Sequence, residues 1–148
     1  MTQLKKLLEN SASNILKFSF NKLLVFALIS NPAMANWEYI ATNDKGNDFF
    51  VSSESIKTSG WNKRTAWELI NYPPDTPQPF KSGIVQQEYE CNGYKVRTLF
   101  ASTHSELFGK GEVLYRDSSP KLSWVTMPKI SVAAQARDYI CNKHLVSK

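Results

Sequence analysis

The chain has 148 residues, with 18 basic and 13 acidic side chains and a formal charge of +5. That length suits one small domain. Part of the positive charge is concentrated at the N-terminus, and what remains is too small and too mixed in sign to make a nucleic-acid surface.

Lys5, Lys6, Lys17 and Lys22 precede an apolar run over residues 23–29. Seven apolar residues are far too few to span a bilayer. Asn31 and Pro32 then break any helix, and Ala33, Met34 and Ala35 place small residues where a signal peptidase cuts. Residues 1–35 therefore read as a cleavable secretory signal, with the cut between Ala35 and Asn36. No cysteine stands at the cut, so the segment does not read as a lipoprotein signal. The expected location is the periplasm, the cell surface or the medium, with no membrane span in the mature chain. Removing the leader takes four of the 18 basic residues and one of the 13 acidic ones, Glu9. Residues 36–148 are left with 14 against 12, a net charge of +2.

In the mature part most of the pattern is that of strands. Residues 37–41 form a short β-prone run, ended by the turn-rich residues 42–47, and Phe49, Phe50 and Val51 make a second strand. Residues 52–63 are polar and read as irregular. Residues 65–72 make a third strand, with Trp67 and Leu69 on one face. Pro73, Pro74, Pro77 and Pro79 then exclude regular pairing, since proline has no backbone donor.

The strongest local signal is Asn92-Gly93, a preferred pair for a two-residue hairpin turn, between residues 84–91 and 94–102. The turn sets Glu90 opposite Lys95 and Glu88 opposite Arg97 on one face. It sets Tyr89 opposite Val96 and Val85 opposite Phe100 on the other. Residues 112–116 and 122–125 read as further strands, the second carrying Trp124. Ser131 is a good N-cap for a helix over residues 132–142, with Ala133, Ala134, Ile140 and Cys141 on one face, interrupted by Arg137. Cys91 lies on the apolar face of the hairpin. With only two cysteines and an oxidising compartment, one intramolecular pairing exists, Cys91 with Cys141. The expected fold is α+β: a small antiparallel sheet with a C-terminal helix packed on one face and held by that disulfide.

Little in the sequence supports catalysis. His104 and His144 are forty residues apart and the cysteines are expected to be oxidised, which leaves no tetrahedral metal set. His104, in a polar stretch, reads as a solvated loop residue. Gly109-Lys110-Gly111 is no phosphate loop, because position 104 is not glycine and no Ser or Thr follows Lys110; it reads as a tight turn before a strand. No Gly-x-Ser-x-Gly elbow is present. We therefore expect no catalytic residue, no metal and no cofactor.

Several pieces recur in a characteristic order. Trp37 stands near the mature start, Phe49-Phe50-Val51 leads to Ser55-Ile56, and Trp67-Glu68-Leu69 precedes a long loop. Ser82, Tyr89-Glu90-Cys91, Arg97 and Gly111 follow, then Trp124 with Pro128 and the terminal Cys141. In this order the mature chain resembles the surface-adhesin protein E family, from Trp37 to Cys141. The resemblance implies a small antiparallel sheet with a bridged C-terminal helix and a bacterial envelope location. It also implies binding of host extracellular-matrix and serum proteins without catalysis. Ser52 departs from the Asp usual there.

Two readings follow: an adhesin-like module that binds a protein partner, or a periplasmic binder of a small apolar or haem-like ligand. An exposed apolar patch or free sheet edge favours the first, and a closed apolar pocket the second. The cleavage reading has a direct check: the intact mass of the exported protein should correspond to a chain starting at Asn36, and a mass retaining the leader would refute it.

Overall fold

The structure, a computed structural model, describes residues 36–118 and 123–143. Residues 1–35, read from the sequence as a leader, and His144 lie outside the described residues. The elements are β1 (Trp37–Thr42), β2 (Asp48–Ser52), β3 (Lys57–Gly60), β4 (Lys63–Asn71), β5 (Ser82–Glu90), β6 (Lys95–His104), β7 (Val113–Asp117), β8 (Val125–Thr126) and α1 (Val132–Asn142). All eight strands join one antiparallel sheet, in the order β1-β2-β4-β5-β6-β7. β5 pairs along the whole of β4, so β2 and β3 share the other edge of β4. In the same way β7 and β8 share the outer edge of β6.

Local chemistry sets most of the boundaries. Asn43 Oδ1 accepts from the backbone N–H groups of Lys45 and Asn47, 3.0 Å each, and Gly46 takes φ 77° to close the β1–β2 turn. Ser131 Oγ accepts from Ala134 N–H at 3.1 Å, capping α1 where the sequence placed the cap. The β5–β6 hairpin has Glu90 opposite Lys95, Tyr89 opposite Val96 and Glu88 opposite Arg97, with Arg97 Nε donating to Glu88 Oε2 at 2.5 Å.

Further from the turn the expected register fails. Gln87 pairs with Thr98 but Gln86 pairs with Phe100, so Leu99 is an extra residue on β6. Val85 therefore lies opposite Ala101, not Phe100. A bulge of this kind moves every later pair by one residue, and no turn signal encodes it. The segment expected to be irregular also holds structure: a 3-10 turn over Ser53–Ser55, then β3. β3 is exposed throughout, so it has no apolar alternation to read; backbone pairing to β4 makes it a strand. The strand expected over 122–125 is only Val125–Thr126 among the described residues.

The core lies between α1 and one face of the sheet. Val51, Ala66, Tyr89 and Ile140 are at most 1 % exposed, and Ile56, Met127, Ala134 and Ala136 join them. The alanines let the helix axis approach the strands closely. Cys91 and Cys141 are joined, with Cα atoms 5.6 Å apart, fixing the last turn of α1 to the end of β5. Closing a loop of 50 residues stabilises by about 4 kcal/mol in the chain-entropy account. Arg64 adds a second fastening, its Nη1 donating to the carbonyls of Ile140 (2.7 Å) and Lys143 (2.6 Å). These are carbonyls the end of a helix leaves without partners. Arg137 bonds the carbonyls of Gly93 and Cys91, tying the helix to the hairpin turn.

One acid is sealed in this core. Glu68 is 7 % exposed and accepts from Tyr89 Oη at 2.5 Å. Loss of hydration raises its pKa from 4.5 to about 7, with the Tyr89 hydrogen bond pulling the other way. The same burial, with the Glu68 charge next, lifts Tyr89 well above its ordinary value. The folded carboxyl thus keeps its proton at pH values where the unfolded one has lost it. The contribution of Glu68 to stability is fully present below about pH 4.5, falls as pH rises through about 7 and is gone above. A shift of this size corresponds to about 3 kcal/mol. Urea midpoints should be higher at pH 5 than at pH 8, and Glu68→Gln should remove most of that difference; a slope unchanged in the variant would exclude Glu68 as its source.

Candidate interaction surface

Paired residues of an antiparallel sheet share a face, so the register assigns the side chains facing away from α1. Tyr39, Phe50, Leu69 and Ile84 form one row across β1, β2, β4 and β5. Trp67, Gln86 and Phe100 form a second, and the Trp67 and Phe100 rings meet edge to face at 5.3 Å. Arg116 stands over Phe100 at 5.8 Å. Toward the hairpin turn, Arg97 and Lys63 lie over the Trp124 ring at 4.8 and 5.4 Å. The charge of Arg97 is thus met by Glu88 and an aromatic ring, and that of Lys95 by Glu90.

Among the described residues no helix covers this face; residues 105–112 fold back over part of it. Ser82 Oγ donates to the Glu106 carbonyl (2.5 Å) and accepts from Gly109 N–H (2.9 Å), while Asn71 Oδ1 accepts from Phe108 N–H (2.9 Å). Ser82 and Asn71 are buried and paired on adjacent strands, so two rigid strands hold the loop. Phe108 itself takes φ 59°, a left-handed conformation rare for an aromatic residue, and Gly109 follows at φ 68°. A Cβ at Gly109 would lie well inside van der Waals contact of Ile84 Cδ1, so only glycine lets the backbone approach this closely.

The strained backbone presents Phe108 outward. Its ring packs on Phe50 with centroids 5.6 Å apart, and Phe50 packs on Tyr39, also at 5.6 Å. Phe108 is nevertheless 44 % exposed and Tyr39 58 %. Leu107 is exposed beside Phe108, and the chain then enters β7, where Val113, Leu114 and Tyr115 are all exposed, Tyr115 by 59 %. Tyr39 and Phe108 lie on the face away from α1 with Leu107 beside them, whereas Tyr115, paired with Thr103, projects from the outer strand to the α1 side. Six exposed apolar side chains are thus open to another molecule along this face, its covering loop and the sheet's outer strand. The sequence reading missed Leu107 and Phe108. Two large apolar residues immediately before a Gly-x-Gly turn were the available signal.

His104 corrects another expectation. It is the last residue of β6, 7 % exposed, with Nε2 3.0 Å from Ser102 Oγ, and not a solvated loop residue. β6 runs two residues further than its apolar pattern, and the returning loop covers its end. Burial first, and the Arg116 charge second, hold the imidazole below its ordinary pKa. Ser102 and His104 are both buried, and among the described residues His104 Nδ1 meets no hydrogen-bond partner. Among the described residues no three His, Cys, Asp or Glu side chains are grouped to hold a metal ion. No helix among them is long and apolar enough to cross a membrane. Gly109-Lys110-Gly111 is the tight turn expected, with both glycines at positive φ.

The sequence pattern of the family described as surface-adhesin protein E matches residues 37–142. Among solved structures, crystal form II of Haemophilus influenzae protein E aligns with a TM-score of 0.51 at 18 % identity, over 70 % of this chain and 86 % of that one. The selenomethionine form of the same Haemophilus influenzae protein aligns with a TM-score of 0.50 at 18 % identity, over 70 % and 84 %. At this identity the likeness establishes the fold. No curated protein sequence is significantly similar to the chain.

Gly109→Ala tests how the loop is held. The added methyl meets Ile84 and an unfavourable φ, so the variant should lose on the order of 1–3 kcal/mol and gain hydrogen exchange over residues 105–112. Unchanged stability and exchange would show that the loop does not depend on this contact.

Proposed function

The chain belongs to the surface-adhesin protein E family, and we propose that it acts as an exported adhesin-like module that binds a host extracellular-matrix or serum protein without catalytic turnover. In this proposal residues 1–35 direct export, cleavage falls between Ala35 and Asn36, and residues 36–148 form the binding domain at the bacterial envelope. The observation that carries the reading is the exposed apolar set of Tyr39, Leu107, Phe108, Val113, Leu114 and Tyr115. A folded domain gains nothing for its own stability by exposing these side chains, whereas a protein partner gains from covering them.

The geometry supports protein contact more than enclosure of a small apolar molecule. Two cavities, of about 390 and 380 Å³, are open and lined largely by polar groups, one at the disulfide and one between the β1–β2 turn and the proline-rich loop. A third of about 500 Å³ with a more apolar lining, beside Tyr139 at the end of α1, is a shallow depression that encloses nothing. A protein partner can use both the aromatic surface and the outer strand β7, last in the strand order, since backbone pairing to an edge strand adds affinity to side-chain burial.

Immobilised laminin or vitronectin should bind the oxidised mature domain saturably at physiological salt. Replacing Phe108, Leu114 and Tyr115 together by Ser should weaken binding at least about tenfold with little change in melting temperature, as expected of exposed anchor residues. No saturable binding, with an apolar ligand co-purifying in the domain, would overturn the proposal in favour of small-ligand binding.

A further inference from the structure

A second site lies at the opposite character of surface, in the cavity of about 390 Å³ at the disulfide. It opens between the β3–β4 turn, the β5–β6 turn and the last turns of α1, and the groups lining it include Arg64, Arg137, Asn62, Asn92 and Asn142, with no carboxylate. The two arginines differ. Arg137 is paired with Asp138 and spends its remaining donors on backbone carbonyls. Arg64 donates from Nη1 alone, and among the described residues no carboxylate stands within ion-pairing distance of it. A half-buried guanidinium is therefore held by the helix end, and among the described residues its Nε and Nη2 donate to no other group. Lys63 also borders the cavity, but its ammonium lies over Trp124.

At the rim stands Trp61, 90 % exposed, between the lining residues Gly60 and Asn62. The turn that carries it is fixed by backbone conformation: Gly60 has φ 156° and Asn62 φ 55°, and the Asn62 carbonyl accepts from Cys91 N–H at 2.7 Å. A tryptophan placed almost wholly in water on a rigid two-residue turn contributes nothing to the core. Its indole is an exposed apolar plate on the turn whose flanking residues, Gly60 and Asn62, line the cavity.

We propose that this cavity binds an acidic carbohydrate, with a sulfate or carboxylate of the sugar on Arg64, its hydroxyls on the asparagine amides and a ring face on Trp61. The anion is recognised by the fixed fork of a guanidinium, which matches two oxygens at once. Asparagine amides supply both donors and acceptors, as sugar hydroxyls require. The indole covers the apolar face of a pyranose without asking for a sequence of side chains, which an acidic peptide site would need. The proposal extends the adhesin reading to a second class of partner at a site that shares no residue with the apolar surface.

The test uses the oxidised exported chain with three probes: a heparin oligosaccharide, hyaluronate, which carries carboxylate but no sulfate, and poly-glutamate. Heparin or hyaluronate should bind saturably, and the preference between them assigns sulfate or carboxylate as the anion. Trp61→Ala should weaken binding at least tenfold, and Thr58→Glu with Asn142→Glu, which bring carboxylates to the lining while leaving both arginines in place, should abolish it. All variants should keep the wild-type melting temperature, and the Phe108, Leu114 and Tyr115 triple variant should bind the glycan as wild type does, which separates this site from the protein-binding surface. Absence of glycan binding, affinity indifferent to Trp61→Ala, or equal binding of poly-glutamate would overturn the proposal.

Discussion

The position of α1 depends on three fastenings gathered at the turn end of the β5–β6 hairpin. The Cys91–Cys141 bridge sets the distance between the helix end and the sheet. Arg64 then satisfies carbonyls that the helix C-terminus leaves bare, and Arg137 reaches back to the carbonyls of the hairpin turn. Each also satisfies backbone groups that would be costly to leave unpaired in a partly buried place. With the helix fixed, Ala134, Ala136 and Ile140 have one way to meet Val51, Ala66 and Tyr89. The sealed carboxyl of Glu68 is a consequence: the helix removes water from a strand position that would otherwise keep its charge.

A single helix on an open sheet leaves the two faces unequal. One face is closed by α1, and the other is covered only in part, by residues 105–112 and by aromatic and basic side chains lying flat on it. The loop is held by buried Ser82 and Asn71, so the left-handed backbone at Phe108 is maintained by rigid strands. That arrangement keeps an aromatic side chain outward without local unfolding. Among the described residues α1 is the one α-helix, and it lies on the first face, so the second is left to a loop and to side chains.

The two surfaces differ in chemistry and in support. The apolar one rests on β1, on the 105–112 loop and on β7, while the cationic one rests on the fastenings of α1. Arg64 serves both structure and charge, since its Nη1 caps the helix while the rest of its guanidinium faces the cavity. A family whose members act at the bacterial surface has reason to hold such groups rigidly, because binding then orders few side chains.

What the sequence determined by itself was whatever nearest neighbours decide. The register expected at the β5–β6 hairpin held for its first four pairs, although the turn spans residues 91–94 with neither Asn92 nor Gly93 at positive φ and is not the two-residue turn expected. Ser131 set the start of α1, the alternation of β4 and β5 set most of the sheet, and two cysteines left one intramolecular pairing. The order of these pieces also carried the family resemblance, later matched over residues 37–142. Tertiary structure decided the rest, for identifiable reasons. The bulge at Leu99 costs the strand nothing in composition, so no residue announces it. β3 has no buried face to give it a periodic signature, and His104 is buried by a loop that returns from further along the chain. Leu107 and Phe108 looked like ordinary apolar residues, and only the folded loop shows that they face water. Exposure is a property of what covers a side chain, and in an open sheet the cover comes from distant sequence.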